Sequence, residues 1–414
     1  MILVDHMPKL VLLLVVSAFS VLGATACCSS PGTENGTGGG NGAGGGSGTA
    51  ECQLVPEGQG PMGEVEISVE VVAEGLDTPW SIAWLPGGDM LVTERGGNLL
   101  RIEPDGTVLD PPVAEVPTTE TGEGGLLGLA LHPEFESNRW MYLYYTTSSD
   151  GTDVNQVERW ILSEDGTSAT ADRVIVGDIP ARSFHNGGRI RFGPDGFLYI
   201  GTGEAGVPER SQDTDSLGGK VLRVRDDGSI PDDNPFPGSA TWIYGVRNTQ
   251  GFDWRDDGTM VVVDHGPSGL PPEGGRRGHD EINVASAGDN LGWPEIFACE
   301  TQQGMIPPAM TWTQAMPPGG VAIYTGTEIP EWQGDAFMGV LGFDAAIGHL
   351  HRIRLSNAGN VEISEVYLRG DEGFGRLRDV VMGPDGGLYV TSSGCDGRGS
   401  CGAGDVIIRV GSRQ

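Results

Sequence analysis

Apolar and polar residues alternate in short runs along most of the chain, and a Gly-containing turn separates each run from the next. Period-two alternation is typical of β-strands, and Asp-Gly or Pro-Gly between two runs favours a hairpin because the turn needs positive φ. This pattern occurs in segments 82–92, 190–200, 252–263 and 380–390, with a looser copy over 127–145. No segment has the length and 3.6-residue periodicity of a core helix. The pattern therefore predicts an all-β fold of repeated hairpins.

Further short strands follow two of these hairpins, at 99–102 and 221–224, as expected for small sheets repeated around an axis. The 354 residues beyond residue 60 correspond to six blades at roughly 50–60 residues per blade. The fold is therefore predicted to be a six-bladed β-propeller. We expect an early strand, 65–72, to pair with the last strand, 406–410, because closure of the ring removes exposed edges. A Greek-key sandwich is the alternative, although it explains the repeated inner hairpin less well.

The first sixty residues lack this pattern. Lys9 precedes an apolar run that ends in small residues before Cys27. This arrangement predicts a lipoprotein-type signal peptide over residues 1–26, with Cys27 as the lipidated residue; ordinary signal cleavage at the same site is the alternative. Residues 27–60 are rich in Gly and Ser and predict a flexible tether, followed by the propeller over 61–414. We expect an exported protein, periplasmic or at the cell surface, that meets the membrane only through its N-terminal lipid anchor.

The cysteines agree with an oxidising compartment. Cys395 and Cys401 flank a short polar loop that a disulfide would close, and Cys52 could pair with Cys299 across the fold. No CxxC pair or His at the matching spacing is present in the sequence, which argues against a zinc site.

Composition excludes two classes of protein. The chain has 25 Lys and Arg against 57 Asp and Glu, a formal net charge of −32. Binding to a polyanion requires a basic surface, so we expect no nucleic-acid partner. Although 69 residues are Gly, no Gly-X-Y period runs through the sequence, which excludes collagen.

A series of short motifs then carries a resemblance to a known family. The motifs occupy 79–84, 92–97, 123–133, 185–189, 218–223, 227–231, 233–236, 244–251, 264–267, 280–283, 290–294 and 375–380. With these motifs in this order, the chain resembles the soluble quinoprotein sugar dehydrogenases of the glucose/sorbosone dehydrogenase family, from about Gly75 to Val410. The resemblance implies a six-bladed propeller with pyrroloquinoline quinone (PQQ) and Ca²⁺ at one end of its axis. It also implies oxidation of an aldose at C1 to the lactone, with electrons passed to an external acceptor.

The resemblance assigns roles to five polar residues. His185 matches the general base that takes the C1 hydroxyl proton while hydride leaves C1 for the quinone. Arg247 and Asn248 match residues that contact the cofactor near its reactive carbonyl, where Arg247 would stabilise the developing oxyanion and so act in catalysis. Arg376 and Arg378 match the pair that binds the cofactor's carboxylates, and alternation along a strand puts both on one face.

Four further positions are matched to metal or substrate. Gly266 and Pro267 match positions whose backbone carbonyls ligate the cofactor's Ca²⁺, and Glu281 matches a position associated with a second, structural Ca²⁺. Glu123 stands where the best-known glucose enzyme has a Gln close to the substrate. It would bring a negative charge near the sugar and could assist His185.

The chain also departs from the family pattern. Gly342 falls where a cofactor-binding Lys is expected, and Leu291 replaces the aromatic usual before Gly-Trp-Pro. An insertion over 268–278, with Arg276 and Arg277, is predicted to lie near the site and to shape substrate access.

Two other functions fit a propeller of this size. A metal-dependent sugar-lactone hydrolase would need Glu, Asn and Asp side chains converging on one central metal, and the predicted arginine pair argues against it. A non-catalytic propeller that binds glycan or protein would not need the general base and both arginine groups, which this sequence retains.

Overall fold

Small β-sheets make up almost all of the structure, a computed structural model that describes residues 51–342, 347–369, 373–399 and 401–413. The strands are β1 (Gln53–Val55), β2 (Ile67–Leu76), β3 (Pro79–Trp84), β4 (Met90–Glu94), β5 (Asn98–Ile102), β6 (Ala114–Glu115), β7 (Leu126–Leu131), β8 (Trp140–Ser149), β9 (Thr152–Leu162), β10 (Ala169–Pro180), β11 (Ile190–Phe192), β12 (Leu198–Gly201), β13 (Lys220–Val224), β14 (Thr241–Tyr244), β15 (Gly251–Trp254), β16 (Met260–Asp264), β17 (Asp280–Ala285), β18 (Met310–Trp312), β19 (Pro318–Ile323), β20 (Ala336–Val340), β21 (His349–Leu355), β22 (Val361–Tyr367), β23 (Leu377–Met382), β24 (Leu388–Ser392) and β25 (Asp405–Ser412). Between them lie one short α-helix, α1 (Phe135–Asn138), and 3₁₀ turns at Pro208–Ser211, Pro271–Glu273 and Pro330–Trp332.

The strands of the described residues form six sheets, which are the blades of a β-propeller. Blade 1 is β3-β4-β5-β6, blade 2 is β7-β8-β9-β10 and blade 3 is β11-β12-β13-β14. Blade 4 is β15-β16-β17-β18 with β1 added at its outer edge, blade 5 is β19-β20-β21-β22, and blade 6 is β23-β24-β25 with β2 outermost. The predicted six-bladed all-β architecture is therefore confirmed.

Ring closure joins the two ends of the propeller in blade 6. Strand β2 pairs antiparallel with β25, with Ile67 opposite Ser412 and Val69 opposite Val410. A strand from the N-terminal side thus completes a sheet whose other three strands come from the C-terminal side. This arrangement removes an open edge between the first and last blades, as expected for the early and late strands.

Asp-Gly turns close several inner hairpins by the same local chemistry. In the turn between β15 and β16, Gly258 has φ of 82°, a conformation that favours glycine. The carboxylate of Asp257 accepts the backbone N–H of Thr259 at 3.0 Å and so fixes the turn. The short polar turn between two apolar runs therefore fixes the register of the hairpin through local contacts.

The first residues that the structure describes differ from the expected tether. Residues 53–55 form β1, which pairs in parallel with β18, and a disulfide joins Cys52 to Cys299. Segment 51–60 therefore belongs to the propeller, because strand hydrogen bonds and a covalent link hold it there. The predicted signal peptide (1–26), Cys27 and the tether up to residue 50 lie outside the described residues.

A buried ion pair links the innermost strands of different blades. The guanidinium of Arg189, next to β11, lies 2.9 Å from the carboxylate of Asp379 in β23. It also donates to the backbone oxygen of Gln250 and lies 4.7 Å from the ring centroid of Trp80. Removing one partner of such a buried pair typically costs about 3–5 kcal/mol, so this contact constrains how the blades meet.

None of the helices in the described ranges is long and apolar enough to cross a membrane.

Blade 5 contains a buried chain of two histidines. His349 Nδ1 lies 2.7 Å from the carbonyl oxygen of Ile347, which can only accept, so this nitrogen carries the proton. With both rings neutral, His349 Nε2 accepts from His351 Nδ1 at 2.9 Å, and His351 Nε2 accepts from the Ser364 hydroxyl at 2.9 Å. The neutral form of both rings therefore satisfies this chain. Burial lowers the pKa of His349 to about 4 and holds the pKa of His351 well below its usual value.

This chain predicts loss of stability in mild acid. Both histidines bind protons near pH 6.5 in the unfolded chain but not in the folded one, so the free energy of unfolding falls as the pH drops from 6.5 towards 4. The loss is up to about 1.4 kcal/mol per pH unit for each histidine. Urea unfolding at pH 7 and pH 5 measures it. In the His349→Asn/His351→Asn double variant, the loss between these pH values should shrink; an equal loss in variant and parent would contradict the assignment.

Candidate functional site

A cavity of about 530 Å³ opens at the end of the propeller where the innermost strands begin. Its wall is built from the loops that precede β7, β11, β15, β19 and β23 and from the turns that follow β4, β16, β20 and β24. This volume is in the range of small-molecule sites. The charged residues on the wall are Arg95, Glu123, Arg247, Arg277, Asp280, Arg376, Arg378, Asp396 and Arg398. Six arginines against three carboxylates, in a chain of net charge −32, make this cavity suited to an anionic ligand.

His185 lies on the cavity wall, and one of its ring nitrogens is hydrogen-bonded to a buried carboxylate. Its Nδ1 makes a short hydrogen bond to Oε1 of Glu204, which is 1% exposed. Because a carboxylate accepts, this contact places a proton on Nδ1, so the neutral ring carries its lone pair on Nε2. Nε2 has no protein partner among the described residues. The pair therefore presents a basic nitrogen to the cavity.

The backbone at His185 is also unusual. Its φ of 58° is left-handed, a conformation that is uncommon outside glycine and is often found at functional sites. Two residues later, Gly187 has φ of 65°, and a Cβ there would lie 2.5 Å from the Cα of Thr202. The glycine of this motif therefore allows the loop before β11 to pack against the end of β12, which brings Glu204 beside His185.

Glu123 lies at the cavity mouth beside His185. One carboxylate oxygen accepts the backbone N–H of His185 at 3.0 Å, and the other accepts from Arg398 at 2.8 Å. Burial alone would raise the pKa of Glu123, but the charge of Arg398 and the nearby His185 hold it below its ordinary value. An ionised carboxylate therefore sits near the basic nitrogen, in the position that the sequence suggested for substrate contact.

His265 forms the cavity wall next to these groups. Its Nε2 donates to the carbonyl oxygen of Pro318 at 2.7 Å, and its Nδ1 accepts from the Asn248 amide at 3.3 Å. Burial lowers the pKa of His265 to about 3, so the ring is neutral at physiological pH. The Asn248 side chain also accepts the N–H of Gly187 at 2.9 Å. Asn248 is fully buried and does not line the cavity; it joins the loop of His185 to that of His265.

Arg247 is buried at the cavity wall and paired with a carboxylate from the insertion. Its Nε donates to Oε1 of Glu273 at 2.8 Å, and its Nη2 donates to the same oxygen and to the Ser268 hydroxyl. Its backbone N–H and that of Asn248 bind the carboxylate of Asp264. The insertion 268–278 thus lies at the site, as predicted, and it contributes a buried anion.

Arg376 and Arg378 project from the start of β23 to the same side, as alternation predicted. The Nη2 atoms of both donate to one oxygen of Asp396, at 2.6 and 3.1 Å. Arg376 also donates to the carbonyl oxygen of Gly342, and Arg378 to the Gln250 side chain at 2.9 Å. Where the family resemblance called for a Lys, Gly342 therefore supplies a backbone acceptor. Burial lowers the pKa of Arg378 to about 10, which still leaves it charged near neutral pH.

The disulfide between Cys395 and Cys401 is present and closes the loop that carries Asp396 and Arg398. Asp396 reaches the arginine pair, whereas Arg398 reaches Glu123, which binds the backbone N–H of His185. The loop therefore contributes to both the arginine side and the His185 side of the site.

The positions matched to calcium lie at two neighbouring cavities. Gly266 and Pro267 line the main cavity, where the Pro267 carbonyl already accepts from Gly278 at 3.0 Å and keeps a second lone pair. Glu281 lines a small second cavity with Asp264 and Leu291, and Gly266 and Pro267 form part of its wall too. Burial and the neighbouring Asp264 raise the pKa of Glu281 well above its ordinary value. No group of three or more His, Cys, Asp or Glu arranged for a metal occurs within the described ranges.

Sequence reasoning missed three residues that the structure brings to the site: Glu204, Glu273 and Asp396. Glu204 could have been found, because the register of β11 with β12 places residues just after β12 beside those just before β11. Glu273 and Asp396 lie in loops whose partners depend on tertiary contacts, and no sequence spacing indicates those partners.

The fold and site define a six-bladed propeller with an axial cavity that is lined by histidines and several arginines. Residues 76–408 match the family model described as Glucose / Sorbosone dehydrogenase. The chain therefore belongs to the glucose/sorbosone dehydrogenase family, and it is a sugar dehydrogenase of that family.

Similar proteins agree with this membership. The aldose sugar dehydrogenase of Escherichia coli is 34% identical over 358 residues, which cover 80% of this chain and 91% of the relative. The structure of the PQQ-bound form of the aldose sugar dehydrogenase from Streptomyces coelicolor superposes with a TM-score of 0.73 at 36% identity, over 84% of this chain and 98% of that chain. The quinoprotein glucose dehydrogenase B of Acinetobacter calcoaceticus is 29% identical over 62% of this chain and 58% of its own length.

Proposed function

We propose that this protein is a PQQ-dependent aldose dehydrogenase that oxidises its sugar at C1 to the lactone, with His185 as general base. The observation that carries the proposal is the convergence on one cavity of a histidine with an unpaired Nε2 and of arginines suited to carboxylates. Similarity to a PQQ-bound aldose sugar dehydrogenase supports the choice of cofactor. The final electron acceptor is external to the chain.

The residues on the wall fit an anionic quinone. PQQ carries carboxylates, and guanidinium groups bind carboxylates with two parallel hydrogen bonds. Arg376 and Arg378 would hold these groups, because each uses three nitrogens on protein acceptors but retains further N–H donors. Arg247 would face the reactive carbonyl. When bound, the quinone accepts the hydride of C1 together with its two electrons.

His185 moves the proton in this reaction. Nε2 would take the proton of the C1 hydroxyl, while the hydrogen bond from Nδ1 to Glu204 stabilises the imidazolium that forms. Glu123 would accept a hydrogen bond from a sugar hydroxyl and, through the N–H of His185, keep the loop in place. Arg398 would orient Glu123 through a hydrogen bond to its other carboxylate oxygen.

Calcium is the second proposed cofactor. The carbonyl oxygens of Gly266 and Pro267 are hard ligands that suit Ca²⁺, although two oxygens require the quinone and water to supply the rest. Beside Glu281 in the same sheet, the side-chain oxygens of Asn283 and Thr311 are buried without hydrogen-bond partners. Unsatisfied buried oxygens next to a carboxylate fit a structural Ca²⁺ held by Glu281.

Dye-linked sugar oxidation tests the proposal. Purified apoprotein is assayed with a panel of aldoses, with and without added PQQ and Ca²⁺. We expect activity only when the quinone is present, with the lactone as product. Failure to bind PQQ, or failure to oxidise any aldose once loaded, would overturn the proposal.

We also propose that the protein is exported and held to the membrane by lipid on Cys27. The apolar run followed by small residues and Cys27 supports this, and the tether up to residue 50 would let the propeller stand away from the membrane. In the native host, Cys27→Ser should move the protein from the membrane fraction to the soluble fraction without changing its specific activity. Retention of the variant in the membrane fraction would contradict lipidation at this residue.

A further inference from the structure

Glu273 is a carboxylate that the insertion 268–278 places inside the site. It ends the short 3₁₀ turn Pro271–Glu273 and is 6% exposed. Its Oε2 accepts the backbone N–H groups of Ser268 and Leu270, at 2.9 and 2.8 Å. Its Oε1 accepts two N–H donors of Arg247. Four hydrogen bonds therefore hold this carboxylate in one orientation.

The pair formed by Glu273 and Arg247 is nearly inaccessible to water. The side chains are 3% and 2% exposed, so solvent screens the two charges only weakly. Arg247 holds the pKa of Glu273 below its ordinary value despite burial. The other Arg247 contacts, to the Ser268 hydroxyl at 3.1 Å and the His265 carbonyl at 3.4 Å, are uncharged. Glu273 is thus the carboxylate in direct contact with the guanidinium of Arg247, whereas Asp264 and Asp280 act on the same charge without an ion pair to it among the described residues.

We propose that Glu273 weakens the binding of the anionic quinone by competing with it for the charge of Arg247. This inference rests on the proposed function. The arginine is already neutralised before the cofactor arrives, so an incoming anion gains less from it than from an unpaired guanidinium. The insertion therefore sets cofactor affinity, in addition to its predicted part in substrate access.

The Glu273→Gln variant separates this charge effect from a scaffold effect. Gln keeps the shape and can still accept from Arg247, but it removes the counter-charge. The apoprotein should lose thermal stability, because one buried charge is left uncompensated. Added PQQ restores a counter-charge, so ligand-induced stabilisation should be larger in the variant than in the parent. A purely structural residue would lower stability without increasing the response to PQQ.

The experiment measures the Kd for PQQ by fluorescence titration in the presence of Ca²⁺, and the Tm of each protein with and without PQQ. We expect the Kd of Glu273→Gln to fall by about tenfold, with a larger PQQ-induced rise in Tm. The Asp side chain is shorter by one methylene group, so Glu273→Asp moves the carboxylate away from Arg247. This variant should therefore lower the Kd as well, but by less. The control is Glu136→Gln, which removes one exposed charge from α1 outside the cavity wall and should leave the Kd within about twofold.

An unchanged or higher Kd in both Glu273 variants would overturn the inference. If Glu273→Gln does not fold, the Glu273→Asp titration decides alone. If the parent protein binds PQQ and oxidises sugar while the variants show no increase in affinity, only this inference fails. If neither the parent nor the variants bind PQQ, the proposed function fails with it.

Discussion

The His185→Asn variant is expected to lower the rate of sugar oxidation by about 10³-fold while leaving PQQ binding nearly unchanged. Asn tolerates the left-handed backbone that His185 adopts, so the loop should keep its shape. The variant has no basic nitrogen at the position of Nε2, so no group takes the C1 hydroxyl proton. Single-turnover mixing of loaded enzyme with sugar measures the chemical step, and titration with PQQ measures binding separately.

His132→Asn is the matched control for this variant. His132 lies in the turn between β7 and β8, away from the cavity wall, and its replacement should leave the rate unchanged. A rate within about tenfold of the parent in His185→Asn would exclude His185 as the general base.

Neutralising the arginine pair should have the largest effect on cofactor affinity. Arg376→Gln and Arg378→Gln are each expected to raise the Kd for PQQ by about 10–100-fold, because each removes a charged hydrogen bond to a ligand carboxylate. Each change also leaves Asp396 with only one of its two arginine partners. Equilibrium titration with PQQ gives the Kd, and thermal unfolding of the apoprotein reports any loss of fold.

A compensated variant separates binding from folding. Arg376→Gln/Arg378→Gln/Asp396→Asn removes all three charges of this cluster and leaves none of them unpaired, so it should retain stability without retaining PQQ affinity. Arg191→Gln is the control, since Arg191 pairs with Asp253 outside the cavity. Full PQQ affinity in the triple variant would contradict the role of the arginine pair in carboxylate binding.

Local turn chemistry explains how much of the fold could be predicted. The five hairpin segments found in the sequence are the inner hairpins of blades 1, 2, 3, 4 and 6. The blade 5 hairpin was missed because β19 and β20 are joined by residues 324–335, which contain the 3₁₀ turn Pro330–Trp332 and no Asp-Gly. The tether boundary was misplaced because β1 is short, and its assignment depends on pairing with β18 far along the chain.

The motif residues of the site could be predicted from the sequence, but their hydrogen-bond partners could not. Motif residues such as His185, Arg376 and Arg378 do meet at one cavity, because their loops all lie at the same end of the blades. Their partners were not predictable from motifs, since Glu273 and Asp396 reach the arginines only once the insertion and the disulfide loop have folded. The sequence identified the arginines of the site. The carboxylates that neutralise them could be identified only from the structure.

The most direct test of the central claim is an anaerobic addition of aldose to the protein loaded with PQQ and Ca²⁺. The absorbance of the bound quinone is followed by stopped flow, and the lactone is quantified in the same sample. The expected result is one equivalent of reduced quinone and one of lactone per loaded site, with the rate reduced about 10³-fold in His185→Asn. A bound quinone whose spectrum does not change with any aldose, or lactone formed without quinone reduction, would contradict the account.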